Sequence, residues 1–185
     1  MSDVNEEFAR VFFEENDFLV RTNLKYYVKK EGKTIGGDSD IDLLILHLKP
    51  NTMSPVSTFV LNVEDLKSID CAIVESKGWH TETFTESKIK SNPRIFNFVR
   101  EEAIEKAELF FNRSNFKKIL LCSKLPTDRV AREKSIELLQ SKGIDHIIEF
   151  STIVQNLWEL SKRQKSYDSE ILQTIRLIQM YIIKT

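Results

Sequence analysis

Apolar positions recur along the chain with two different periods, and the alternation between them sets out the elements. Residues 3–16 place Val4, Phe8, Val11, Phe12 and Phe13 on one face, with Glu6, Glu7, Arg10, Glu14 and Glu15 around it. This spacing predicts an amphipathic helix that stops at Asn16-Asp17. Residues 18–28 are rich in Phe, Val, Leu, Thr and Tyr and predict a strand. Residues 29–37, with their lysines, Gly32 and the Gly36-Gly37 pair, predict a turn. Residues 41–48 predict a strongly apolar strand, 50–55 a loop, 57–63 a further strand, and 70–77 a strand ended by Gly78. A helix is expected from Asn92-Pro93 to about Asn112, with Asn as N-cap and Pro at the first helical position. Then come a strand at 117–123, a helix opened by Pro126-Thr127-Asp128 and closed by Gly143, and a strand at 144–150. Ser151 caps a helix to about Leu160, and Ile171, Ile175, Ile178 and Ile182 share a face of a last helix.

This order predicts an α/β domain, a mixed central sheet flanked by helices, over residues 1–150. The helices of 151–185 would pack on that core or form a homodimer interface. The length of 185 residues suits one domain with a real core. No apolar run approaches the ~20 residues of a membrane span. The acidic start lacks the apolar stretch of a secretory signal, and Cys71 and Cys122 sit in apolar strands as buried thiols. A cytoplasmic protein without a membrane partner is the expectation.

Net charge is −1, yet residues 1–80 carry 14 acids against 9 Lys/Arg, and residues 81–185 carry 14 against 18. Near-neutrality leaves nucleic acid open as a partner, because only a local basic surface is needed.

Chemistry concentrates in two strands. Asp40 and Asp42 share a face of one, and Glu75 and Lys77 share a face of another. Acid-x-Lys occurs four times, at Glu31, Asp65, Glu75 and Glu86, but only Glu75 closes an unbroken apolar strand. A charged pair there is costly unless it is paired or metal-bound. If the two strands are neighbours, two carboxylates meet beside an ammonium. That donor set suits Mg²⁺, with Mn²⁺ as the alternative, and the lysine can orient a water or offset charge on a phosphate. His47, His80 and His146 are too dispersed for a zinc pattern, and neither a P-loop nor a serine elbow is present. Trp79 and His80 follow the second strand, where packing and loop roles suit them better than contact with a base or phosphate.

The residues EEFARVFFEENDFLV, GDSDIDLLIL and AIVESK, in that order, resemble the PD-(D/E)xK nuclease superfamily, which has a restriction-endonuclease-like fold. The resemblance covers residues 3–150 in element order and residues 3–80 in motifs. It implies a metal-dependent nuclease that hydrolyses phosphodiester bonds, with DNA as the expected substrate and a 5′-phosphate and 3′-hydroxyl as products. Asp42 and Glu75 would be metal ligands, Glu6 (or its neighbour Glu7) would contribute through a bound water, and Lys77 would be the catalytic lysine. Ile41 stands where the family commonly has proline, and residues 50–69 would form an inserted loop or extra strand. Lys25, Lys29, Lys30, Lys33, Lys88, Lys90 and Arg94 flank these motifs as candidate phosphate contacts, which predicts binding that weakens with salt.

Two other readings share some of these residues. Asp40-Ile41-Asp42 also resembles the DxD strand of nucleotidyltransferases, but Gly36-Gly37 lies too close to Asp40 for that family and Glu75-x-Lys77 would have no role. A non-catalytic nucleic-acid-binding or interaction module of the same fold is the third reading.

Overall fold

The computed structural model describes residues 4–30, 33–51, 56–78, 83–163 and 169–182, and of residues 29–30 and 33–38 the backbone alone. Among the described residues the elements are α1 (Val4–Glu14), β1 (Phe18–Lys30), β2 (Lys33–His47), β3 (Cys71–Lys77), α2 (Glu86–Ser91), α3 (Glu101–Phe111), β4 (Lys117–Cys122), α4 (Arg129–Ser141), β5 (His146–Glu149), α5 (Phe150–Arg163) and α6 (Glu170–Tyr181). Two 3₁₀ helices, Glu64–Ser68 and Pro93–Val99, lie between them.

The five strands form one sheet in the order β1-β2-β3-β4-β5. The β1–β2 and β2–β3 pairs are antiparallel, whereas β3–β4 and β4–β5 are parallel. Side-chain alternation along β3 and β4 divides the core between the two faces. Ala72, Val74, Ile119 and Leu121 join Phe12 and Phe13 of α1, Ile153 and Leu157 of α5, and Leu172 and Ile175 of α6. Cys71, Ile73, Leu120 and Cys122 join Ile89 of α2, Ile95 and Phe98 of the second 3₁₀ helix, Ala103 and Ala107 of α3, and Leu139 of α4. Helices thus cover both faces, and α5 and α6 share the layer that α1 occupies. The outer side of α6 leaves Leu177, Met180, Tyr181 and Ile182 exposed.

Several elements depart from the sequence pattern. Residues 29–37 are not one long turn: β1 and β2 continue as a ladder to Lys30↔Lys33, and Gly36-Gly37 lies within β2. The two glycines fall where the β1–β2 register shifts, between Tyr27↔Asp38 and Lys29↔Thr34, an irregularity that glycine accommodates. Residues 57–63 form no strand. Val60 makes a single bridge to Ile147 of β5, and Leu61 N donates to Ile147 O at 2.8 Å. The helix expected over residues 92–112 is two pieces, because Arg100 is extended (φ −73°, ψ 158°) between the 3₁₀ turn and α3. The polar stretch before it holds α2, capped by Thr85, whose side chain accepts from Lys88 N. The expected stops hold: Asp17 (φ 65°) follows α1 and Gly143 (φ 85°) follows α4.

One irregularity bears on function. The β1–β2 ladder runs to Thr22↔Leu43 and resumes at Leu24↔Ile41, skipping Asn23 and Asp42, and Asn23 has φ 54°. Before the skip, Phe18, Val20, Leu43 and Ile45 face the α1 layer. After it, Leu24, Tyr26, Val28 and Ile41 face the α3 layer. Strict alternation would keep these even-numbered β1 residues on one side. The left-handed Asn23 therefore reverses the two strands at the position of Asp42.

Candidate active site

β2 and β3 are neighbours, paired from Leu46↔Cys71 to Leu43↔Val74. The next residue on each strand is Asp42 and Glu75. Adjacency survives the long connection because residues 56–70 fold back over the sheet and bury Leu61, Leu66 and Ile69 in the α1 layer. Where the backbone ladder ends, Asp42 Oδ2 accepts from Ser76 N at 2.7 Å. Asp42 thus ties the two strands with its own side chain.

Lys77 closes the cluster. Its Nζ lies 2.6 Å from Glu75 Oε1 and 3.6 Å from Asp42 Oδ2. Both carboxylates are buried, Asp42 at 7% and Glu75 at 4% exposure. Glu75 and Lys77 share the face of Ile73, at the C-terminal end of β3 where it runs parallel to β4. Crevices at the carboxyl ends of parallel strands are the usual ligand sites of open α/β sheets.

Electrostatics follow from this packing. Burial, with Asp42 nearby, pushes the Glu75 carboxyl up to about 8 against the pull of Lys77. Burial also raises Asp42, opposed by Lys77 and the Ser76 amide. For Lys77 burial acts downward, yet Glu75 and Asp42 outweigh it and the ammonium is raised. Glu75 Oε2 is buried and has no hydrogen-bond partner among the described residues. A buried carboxylate oxygen left unsatisfied costs free energy, so the cluster has room for one more positive or donating group.

Among the described residues, no three His, Cys, Asp or Glu side chains gather into a ready-made metal cage. A carboxylate pair is nonetheless a fitting donor set for Mg²⁺, which binds through one or two carboxylates and keeps waters or substrate phosphates for its other positions. The orphaned Glu75 oxygen and the all-oxygen pair fit such an ion. Softer, nitrogen- or sulfur-loving metals find nothing here.

Glu6 occupies the first turn of α1, and its neighbour Asn5 fixes that turn against the site. Asn5 Nδ2 donates to Gly78 O at 3.2 Å, directly after Lys77. A Cβ at Gly78 would stand 2.6 Å from the Asn5 side chain, so only glycine lets α1 come this close. Glu7 is turned to Arg10, which also holds Glu14.

Of the predicted phosphate contacts, Lys88 and Lys90 lie on α2 and the exposed Arg94 lies in the 3₁₀ turn after it. Phe84 N donates to Lys124 O at 2.8 Å, which seats this segment beyond the end of β4. Lys90 is paired with Glu86 at 2.5 Å. Lys25 is exposed on β1, opposite Asp40. Lys29, Lys30 and Lys33 have their backbones in the β1–β2 ladder, and their side chains lie outside the described residues, as do Trp79 and His80 entirely.

His47 and His146 stand far from this cluster. Lys49 N donates to His47 Nδ1 at 3.0 Å, and His146 Nδ1 pairs with Thr58 O at 2.9 Å. Cys71 and Cys122 are free, buried thiols. A cleft of about 870 Å³ lies at the opposite end of β2, lined by His47, Asn16, Lys67 and Arg163 among others. It mixes unlike charges without a converging set of donors, so the carboxylate–lysine cluster is the stronger candidate.

Sequence reasoning missed two contributors: the Ser76 amide and the Asn5–Gly78 clamp. Both are tertiary contacts, across 34 and 73 positions, which no local period encodes. Comparison with protein-family models, with curated proteins and with solved structures finds no match for this chain.

Proposed function

We propose that the chain is a metal-dependent nuclease with a restriction-endonuclease-like core, acting on phosphodiester bonds of nucleic acid, with DNA as the expected substrate. The observation that carries this reading is the buried Asp42–Glu75–Lys77 cluster on two adjacent strands, with one Glu75 oxygen unsatisfied.

Asp42 and Glu75 would hold the ion, and Glu6 would reach it through water. Mg²⁺ or Mn²⁺ bound there would polarise a phosphate oxygen and acidify a water. Lys77 orients the attacking water and offsets charge that builds on the phosphate. In-line attack forms a new P–O bond to the water oxygen and breaks the bond to the 3′ oxygen, which leaves with a proton. Lys88, Lys90 and Arg94 support the reading as cations on the segment beyond the strand ends, and Lys29, Lys30 and Lys33 are proposed from sequence alone.

The test is cleavage of duplex, single-stranded, flapped and four-way-junction DNA with Mg²⁺, Mn²⁺ or EDTA, using wild type, Asp42→Ala and Lys77→Ala. Metal-dependent cutting that falls about 100-fold or more in both variants is expected. No three-carboxylate cage forms among the described residues, which keeps one rival, the non-catalytic binding module. Unchanged DNA binding in all three proteins, with no cutting of any substrate, would favour it.

A further inference from the structure

We propose that the open edge of β1 is a track for a single strand of nucleic acid, with Tyr27 stacking on a base and Arg21 contacting a phosphate. The inference rests on the nuclease reading above and names the form of its substrate.

β1 ends the sheet, and β2 is the strand it pairs with. Over Phe18–Lys30 it carries Arg21, Lys25, Lys29 and Lys30 and no acid, in a chain whose net charge is −1. Leu19, Arg21, Asn23, Lys25 and Tyr27 are all exposed, so every second residue opens to solvent. Tyr27 is 62% exposed, which leaves most of an aromatic ring bare at an alternate position between two lysines.

The reversal at Asn23 shapes this row. Leu19 and Arg21 point away from the side of Phe18 and Val20, hence to the α3 side of the sheet. Lys25 and Tyr27 point away from the side of Leu24 and Tyr26, hence to the α1 side. The row therefore crosses the edge of the sheet at Asn23, the residue skipped opposite Asp42. The crossing lies two strand spacings, about 10 Å, from the strand of Glu75 and Lys77. Residues 19 and 27 are roughly 26 Å apart along the strand, so a chain laid on the row passes the carboxylate cluster near its middle.

Cations on an open edge also guard it against pairing with other strands. That role accounts for Arg21 and Lys25 but gives the bare ring of Tyr27 no purpose. A ring set among cations is what a single strand recognises, because its bases offer free π faces between successive phosphates. A duplex keeps its bases stacked inside and presents no such face to Tyr27.

The experiment is fluorescence anisotropy of labelled single-stranded DNA, single-stranded RNA and duplex DNA with the full chain in EDTA, which separates binding from cutting. Tyr27→Ala should weaken binding of both kinds of single strand by about 5-fold or more, and of duplex by less. Tyr27→Phe keeps the ring and should stay within twofold of wild type. Arg21→Gln should lower the dependence of log affinity on log salt by about 0.7, the slope of one phosphate contact on a single strand. Thermal melting should match wild type in all three variants, because both side chains are exposed. Single-strand affinity unchanged in Tyr27→Ala, or lost equally in Tyr27→Phe, would overturn the proposal, and cutting that Asp42→Ala abolishes would leave the nuclease standing. Self-association of wild type that Tyr27→Ala removes, with oligonucleotide affinity intact, would give the edge to a second copy of the chain and overturn the proposal too. No oligonucleotide binding by wild type would overturn it, and no cutting in Mg²⁺ as well would overturn both readings.

Discussion

Two acid–base pairs stand at the same end of the sheet and are built differently. On β5, Glu149 accepts from Leu125 N at 2.7 Å through one oxygen and pairs with Arg132 at 3.2 Å through the other. On β3, Glu75 pairs with Lys77 through one oxygen and leaves the other buried and unmet. The Glu149 side chain is 20% exposed and that of Glu75 only 6%. The β5 pair is complete by itself and fastens the loop before α4 to the strand end. The β3 pair is incomplete by itself, more deeply buried, and set against a second carboxylate. Incomplete buried polar groups cost stability and persist where they serve something besides the fold.

The largest contrast is expected from amide substitutions. Glu75→Gln should abolish metal-dependent cutting while leaving the free energy of unfolding at pH 8 unchanged or raised, because it removes a charge that is poorly compensated. Glu149→Gln should leave cutting in place and lower stability by about 1–3 kcal/mol, since one of two satisfied carboxylate oxygens and the charge that pairs with Arg132 are lost. Denaturant melts beside the nuclease assay check both. Equal stability losses in the two variants would break the comparison.

A smaller effect is the pH dependence. Folding raises Glu75 from an ordinary carboxylate to about 8, so the folded state takes up a proton there. The stabilisation is fully present below the ordinary carboxylate range and is lost as pH rises through about 8. Asp42, raised in the same direction, adds to the slope. Metal-free wild type should therefore lose stability between pH 5 and pH 8, by at most about 1.4 kcal/mol per pH unit per group. Glu75→Gln should flatten that slope and Glu149→Gln should keep it, as melting across pH will show.

The smallest effect concerns the clamp on α1. Gly78→Ala places a methyl against Asn5 and should cost about 1–3 kcal/mol. Asn5→Ala in the same chain should recover part of that loss, because the clash is with that side chain. A double-mutant cycle without coupling would show that α1 is not seated by this contact.

The strands and their chemistry were the legible part of the sequence. Period-two alternation placed Glu75 and Lys77 on one face, and the unbroken apolar run before Glu75 separated it from three other acid-x-Lys triplets. Helix stops at Asp17 and Gly143 were legible because left-handed backbone favours those residue types. The long hairpin was not, because Gly36-Gly37 imitates a turn yet lies at a register shift inside the β1–β2 ladder. α2 was hidden because its six residues bury only Ile89, too little to set a period. The side on which Leu24, Tyr26 and Val28 lie was unreadable for a deeper reason: one left-handed residue at Asn23 turns them to the α3 layer, and alternation carries no mark of it.

The bond from the Ser76 amide to Asp42 has a spectroscopic consequence. Its proton lies on an oxygen that the proposed chemistry would use, so the ¹H–¹⁵N resonance of Ser76 is a natural sensor of that carboxylate. A cation drawing on the oxygen, or a proton added to it, weakens the acceptor and moves the signal. The chain carries its own indicator of site occupancy in a backbone group that no side-chain substitution needs to introduce.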